Sequence, residues 1–174
     1  IMFLSRDAYF FYLLYNNIYP ELKIGEDYSY VFSSRICFSE RNNDNYKRYI
    51  ESFKNKKEKI LMIDVYGSGT TFLNFIEHYK IEYIQLLFFC HDNTRDTYLK
   101  HLWKEYVTGF LKDSKGIILE NIFRAPHYKI VGLKEDFTPL QSRNNYFDKT
   151  DIINDRNKEH LLNLYQEIIS NMSY

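Results

Sequence analysis

The sequence predicts an α/β domain: a parallel sheet flanked by helices. Three observations predict it. Short runs such as IMFLS (1–5), KILMIDV (59–65) and YIQLLFF (83–89) are apolar nearly throughout, as strands buried on both faces are. Stretches with helical spacing of apolar residues lie between them, the order of βαβ units. Polar or glycine-containing loops follow the strands, and in such a sheet right-handed crossovers bring every strand-to-helix loop to one edge.

The elements follow in order. Residues 1–5 read as a buried strand. Residues 7–19 (DAYFFYLLYNNIY) read as a helix that Asp7 can cap and Pro20 ends. Residues 28–33 (YSYVFS) are rich in β-formers. Residues 43–58 are polar and lysine-rich with a weak helical pattern. Strand 59–65 leads through Gly67-Ser68-Gly69-Thr70-Thr71 into a helix over 70–80, and strand 83–89 follows. Residues 95–112 (RDTYLKHLWKEYVTGFLK) carry Leu99, Trp103, Tyr106 and Phe110 at helical spacing, so a long amphipathic helix is expected, with Trp103 in the core. Beyond it a hydrophobic segment at 116–125, a break at Pro126, a strand at 128–133, a loop-like stretch at 136–155 and a closing helix at 156–172 are expected. Loops 5–7, 33–37, 64–71 and 90–94 should converge. The division is an α/β core over 1–115 and a C-terminal cap over 116–174 that completes the same domain. An apolar strand starting at residue 1 suggests that the chain is a fragment of a longer protein.

Bulk properties exclude several classes. The 174 residues suit one domain with a single core. Lys and Arg total 23 and so do Asp and Glu, a balance that argues for neither a nucleic-acid surface nor a membrane surface. No apolar run approaches the roughly 18 residues of a spanning helix. Arg6 and Asp7 interrupt the first apolar run, so it does not read as a signal peptide. The two cysteines, Cys37 and Cys90, do not form a Cys-x-x-Cys pair, and a reduced, cytoplasmic setting is expected. The 17 Tyr and 14 Phe accompany abundant Asn, Lys and Ile, a composition an AT-rich genome yields, so they carry little functional weight.

Chemistry concentrates at IDVYGSGTT, 63–71. A helix N-terminus presents unpaired N–H groups and the positive end of its dipole to anions, and glycines let a phosphate approach the backbone. Ser68, Thr70 and Thr71 add hydroxyl donors, and Asp64 closes the strand. No lysine follows at the spacing of a Walker loop, and G-x-G-x-x-G is absent. An ordinary glycine turn before a helix remains the plain alternative.

The stretch ILMIDVYGSGTT resembles the phosphoribosyl pyrophosphate (PRPP) motif of type I phosphoribosyltransferases. Asp64 aligns with the second of that motif's two acidic residues, Gly67–Thr71 with its 5-phosphate loop, and Ile63 stands where the first acid belongs. The resemblance implies a pyrophosphate loop at Ser5-Arg6-Asp7-Ala8 and, after the second strand, an often basic catalytic loop with Arg35 at its mouth. Taken with FLSRDAYFFYLLY, YSYVFSSR and LENIFRAPHYKIVGL, the chain also resembles a family of bacterial surface-polysaccharide clusters. That family carries F-[LV]-[AS]-R-D-G-[YF], Y-[LV]-x-x-S-R and D-[IV]-G-x-x-G-[ST] in the same order. It is often linked to haloacid-dehalogenase-type phosphatase domains, and Ala8 replaces its glycine.

This resemblance implies transfer of a phosphoribosyl group from PRPP to a glycan hydroxyl in polysaccharide biosynthesis, yielding ribofuranose once a phosphatase removes the 5-phosphate. Arg6 and Arg35 would face the leaving pyrophosphate, Asp7 would be the base, Asp64 would hold the ribose hydroxyls, and Ser68, Gly69, Thr70 and Thr71 the 5-phosphate. Mg²⁺ would be bound mainly through substrate phosphates, with Asp64 a candidate ligand. Plainer roles stand beside these: Asp7 as helix cap, Arg6–Asp7 as a surface pair, and Lys54, Lys56 and Lys57 as a solvated face. Cys90, His91 and Asp92 invite a metal or nucleophile reading, but adjacent strand residues face opposite sides, so acceptor contact is the stronger one. Glu120 and Arg124–His127 are candidates for the acceptor side, with a buried Glu and a structural Pro turn as the plain alternatives. The competing classes are a non-catalytic module binding PRPP or a nucleotide, and a nucleobase-salvage transferase.

Overall fold

The computed structural model describes residues 1–5, 7–38, 43–53, 59–92, 98–112, 123, 125–127, 129–142 and 155–172. Arg6, Lys54, Lys56, Lys57, Glu120 and Arg124 lie outside them. In chain order the elements are β1 (Met2–Leu4), α1 (Tyr9–Ile18), β2 (Ser29–Val31), α2 (Asn43–Ser52), β3 (Ile60–Gly67), α3 (Thr70–Tyr79), β4 (Ile84–His91), α4 (Lys100–Tyr106), β5 (Val107–Lys112), β6 (Lys129–Leu133), β7 (Pro139–Ser142) and α5 (Asp155–Met172).

β1 to β5 form one parallel sheet in the order β2-β1-β3-β4-β5. The chain steps from β1 to β2 in one direction and from β2 onward in the other. Right-handed crossovers then require α1 on one face and α2, α3 and α4 on the opposite face. The packing follows that rule. Phe3 and Ile63 meet Phe11, Tyr12 and Tyr15 of α1. Met2, Leu4, Val31, Met62, Leu86 and Phe88 point the other way, onto Tyr46, Tyr49 and Ile50 of α2, Phe72, Leu73, Phe75 and Ile76 of α3, and Trp103 and Tyr106 near β5. Continuous apolar strands are needed because both faces are covered.

The long helix expected over 95–112 is not formed. Among the described residues of that stretch, α4 covers Lys100–Tyr106 and the chain passes straight into extended backbone at Val107, φ −124° and ψ 133°. Val107, Thr108 and Gly109 then pair with Leu86, Leu87 and Phe88. Helical spacing of four apolar residues lost to an open sheet edge, where β-branched Val107 and Thr108 are favoured and Gly109 disfavours a helix. Phe110, expected on the helix with Trp103, is 69% exposed on this edge strand.

Smaller corrections follow the same logic. The stretch expected to be a loop over 136–155 contains β7, which pairs antiparallel with β6. That hairpin shares the main core through Ile130 and Leu133 and is tied to α2 by Asn45 Nδ2, which donates to the carbonyls of Leu133 (3.0 Å) and Lys134 (2.9 Å). α5 reaches α1 through Tyr165, whose ring lies 5.2 Å from that of Phe10. Asp7 does not cap α1: Ala8 occupies the cap position, with no side-chain cap bond. No helix among the described residues is long and apolar enough to cross a membrane.

Candidate functional site

A sheet ordered 2-1-3-4-5 has its switch point between β1 and β3, where neighbouring loops leave in opposite directions and open a crevice at the carboxyl ends of the strands. A cleft of about 540 Å³ lies there. Ser5 and Asp7 line it from the loop after β1, Ser33, Ser34 and Arg35 from the loop after β2, Asp64 to Thr71 from β3 and its loop, and Asp92 from the end of β4. Four separate stretches of sequence therefore converge, as the loop positions predicted. Of the candidate residues, Asp7, Arg35, Asp64, Gly67, Ser68, Gly69, Thr70 and Thr71 are all in the lining.

The first two loops are fastened together. Ser33 N–H donates to Ser5 Oγ (2.8 Å), Ser5 Oγ–H to the Ser33 carbonyl (2.9 Å), and Ser33 Oγ–H to the Ser5 carbonyl (3.0 Å). Both serines are buried. This reciprocal clasp sets the loops carrying Asp7 and Arg35 side by side, and it gives the serines of FLSR and FSSR a structural reason.

The third loop is built for close approach. Gly69 adopts φ +74°, the left-handed conformation, at the N-cap of α3. Gly67 lies on the Phe88 ring so tightly that a Cβ would come within 2.9 Å of it. Ser68 Oγ and Thr70 Oγ1 are 3.0 Å apart, and Thr70 N–H points to Ser68 Oγ at 3.4 Å. The turn thus gathers two hydroxyls and the first amides of α3 on the cleft side. Beneath it lie Phe88 of the main core and Trp103, packed against that core as expected; the indole Nε1–H of Trp103 donates to the Ser68 carbonyl (3.1 Å). Sequence spacing could not reveal this, because the two lie 35 positions apart.

Asp64 lies half-buried, with Oδ1 accepting from Val65 N–H (2.8 Å). Its neighbour Ile63 points to the other face, into an apolar groove with Phe3, Phe11 and Phe89. Adjacent strand residues face opposite sides, so an acid at 63 would be buried against α1 instead of reaching the cleft.

The described lining holds one cation, Arg35, and three carboxylates, Asp7, Asp64 and Asp92. No group of three or more His, Cys, Asp or Glu side chains that could hold a metal ion occurs among the described residues. Asp92 is the part of Cys90-His91-Asp92 that reaches the cleft, and its N–H donates to the Gly67 carbonyl (3.2 Å). Cys90 is buried in the sheet, and so is Cys37 behind the second loop. Burial pushes the Cys37 thiol up, against weaker lowering by hydrogen bonds involving Ser34, so it is a packing residue and not a poised nucleophile. His127 accepts or donates a 2.7 Å bond with Tyr30 OH on the outer side of β2 and is not among the residues lining the cleft.

Comparison with protein-family models, with curated proteins and with solved structures finds no match for this chain.

Proposed function

We propose that the cleft binds PRPP and that the protein transfers its 5-phosphoribosyl group to a hydroxyl of a glycan acceptor, releasing pyrophosphate. The observation that carries the reading is the convergence, at one switch-point cleft, of a Gly-Ser-Gly-Thr-Thr anion cradle, a strand-end carboxylate and an arginine loop. The parallel order β2-β1-β3-β4-β5 is compatible with a type I phosphoribosyltransferase core.

In this reading the 5-phosphate lies against Ser68, Gly69, Thr70 and Thr71, where amides and hydroxyls meet a phosphate without reorganisation. Asp64 takes the ribose hydroxyls. The bond from C1 to pyrophosphate oxygen breaks, the bond from C1 to acceptor oxygen forms, and Asp7 accepts the acceptor's proton. Arg35 meets the charge on the departing pyrophosphate through planar guanidinium contacts, and the resemblance assigns Arg6, outside the described residues, the same role. A polyanionic donor facing three carboxylates needs further positive charge, and Mg²⁺ supplies it. Mg²⁺ keeps waters and binds through substrate phosphates plus few protein oxygens, which fits a cleft whose described lining offers separate carboxylates; Asp64 is its candidate ligand.

The test combines the protein with PRPP, Mg²⁺ and a panel of surface-glycan acceptors and measures pyrophosphate release. Release is expected to fall at least about 100-fold in Asp64→Ala, since a ligand hydroxyl pair loses its charged acceptor. Absence of PRPP binding by the wild type would refute the reading. One observation favours a second reading, a non-catalytic PRPP-binding module: Asp64 is the single carboxylate that β3 and its loop bring to the cleft. PRPP binding in calorimetry without turnover on any acceptor would select it.

A further inference from the structure

The Trp103 indole lies behind the phosphate loop and is not among the residues lining the cleft, whereas Ser68 and Gly69 are. Its Nε1–H holds the Ser68 carbonyl at 3.1 Å. A trans peptide is planar, with C=O and N–H antiparallel. Fixing the Ser68 carbonyl on the indole therefore aims the Gly69 N–H the opposite way, toward the cleft. Left alone, a peptide next to glycine is free to rotate, because Gly populates positive and negative φ about equally. Gly69 at φ +74° needs an outside contact to keep one orientation, and the indole, a donor with no acceptor capacity, provides it.

The indole is itself braced. The His91 ring is 5.0 Å from the Trp103 ring, tilted by 44°. His91 is 8% exposed, and its buried Nδ1 has no hydrogen-bond partner, so packing, not polar bonding at that nitrogen, sets its position. It occupies space that exists only because residue 109 is glycine: a Cβ there would lie 2.0 Å from His91 Cδ2.

We infer that Trp103, braced by His91 over Gly109, is a positioning residue that holds the Gly69 amide toward the bound 5-phosphate. The inference rests on the phosphoribosyl reading above and adds how its cradle is preorganised. Trp103 is also the chain's single tryptophan, so its emission reports on this loop alone.

The experiment titrates the wild-type protein and Trp103→Phe with ribose 5-phosphate and, separately, with pyrophosphate and Mg²⁺, by calorimetry, and follows wild-type tryptophan emission. Ribose 5-phosphate is expected to change the wild-type emission and to bind the variant about tenfold more weakly, the scale of one hydrogen bond serving a charged group. Pyrophosphate affinity is expected to stay within about twofold, because the indole's contacts with Ser68 and His91 lie outside its loops; a general loss of structure would weaken both ligands. Equal ribose 5-phosphate affinity in the two proteins would overturn the inference. Should the variant not fold by circular dichroism, the wild-type emission decides: no change at saturation overturns it. If the wild type binds neither ribose 5-phosphate nor PRPP, the phosphoribosyl reading itself fails, and the inference with it.

Discussion

Gly67, Gly69 and Gly109 all surround the candidate site, for three different reasons. Gly69 is required by its backbone angle, φ +74°, while a Cβ there would find only ordinary contacts at 3.5 Å. Gly67 is required by the Phe88 ring beneath it. Gly109 is required by the His91 ring, which a Cβ would meet at 2.0 Å. The first two were legible as a glycine turn between strand and helix; the third was not, because its partner is a histidine on a neighbouring strand. Gly109→Ala should force the buried imidazole to move and cost about 1–3 kcal/mol, the range for overpacking. A urea unfolding midpoint unchanged from wild type would show that His91 shifts freely.

At the scale of elements, the serine clasp joins the ends of β1 and β2. Ser5 and Ser33 exchange three hydrogen bonds inside the protein, and removing one partner strands buried polar groups of the other. Ser33→Ala leaves Ser5 Oγ with its backbone bonds but removes the donor to the Ser5 carbonyl, so a loss of about 1–3 kcal/mol in urea unfolding is expected. The wild-type value retained in this variant would mean that the clasp contributes little. β1, α1, β3, α3 and β4 were legible because each has a strong local pattern and strand ends marked by polar loops. β5 was not: its residues continue the helical spacing of Leu99 and Trp103, and only the unpaired edge of β4 decides that Val107–Lys112 extend.

Across the whole molecule, phenols and a thiol are buried with the core. Tyr46 is fully enclosed, and burial raises its phenol well above 10, with Cys37, Tyr49 and Asp64 nearby adding to the rise. Tyr49 and Cys37 are raised too, chiefly by burial. In each case the folded protein holds its proton more tightly than the unfolded chain does. Their contribution to stability is therefore complete below the unfolded values, 9.0 for Cys and 10.0 for Tyr, and is lost as pH rises through the folded ones. The unfolding free energy should thus fall progressively above about pH 9, and Tyr46→Phe should flatten that decline. Urea titrations from pH 7 to 11 check it; parallel slopes for wild type and variant would exclude Tyr46 as the source.

By itself the sequence determined the class of fold, the strand–helix order and the loop Gly67–Thr71, because apolar runs, helical spacing and glycine turns act over a few neighbouring residues. The tertiary structure decided the strand order, the extension of β5, the serine clasp and the use of Phe88, Trp103 and His91 as supports. Those depend on which surfaces meet across tens of residues: a sheet edge that needs a partner, a ring that needs the space a glycine leaves, and an indole N–H that finds its acceptor in a loop 35 positions away.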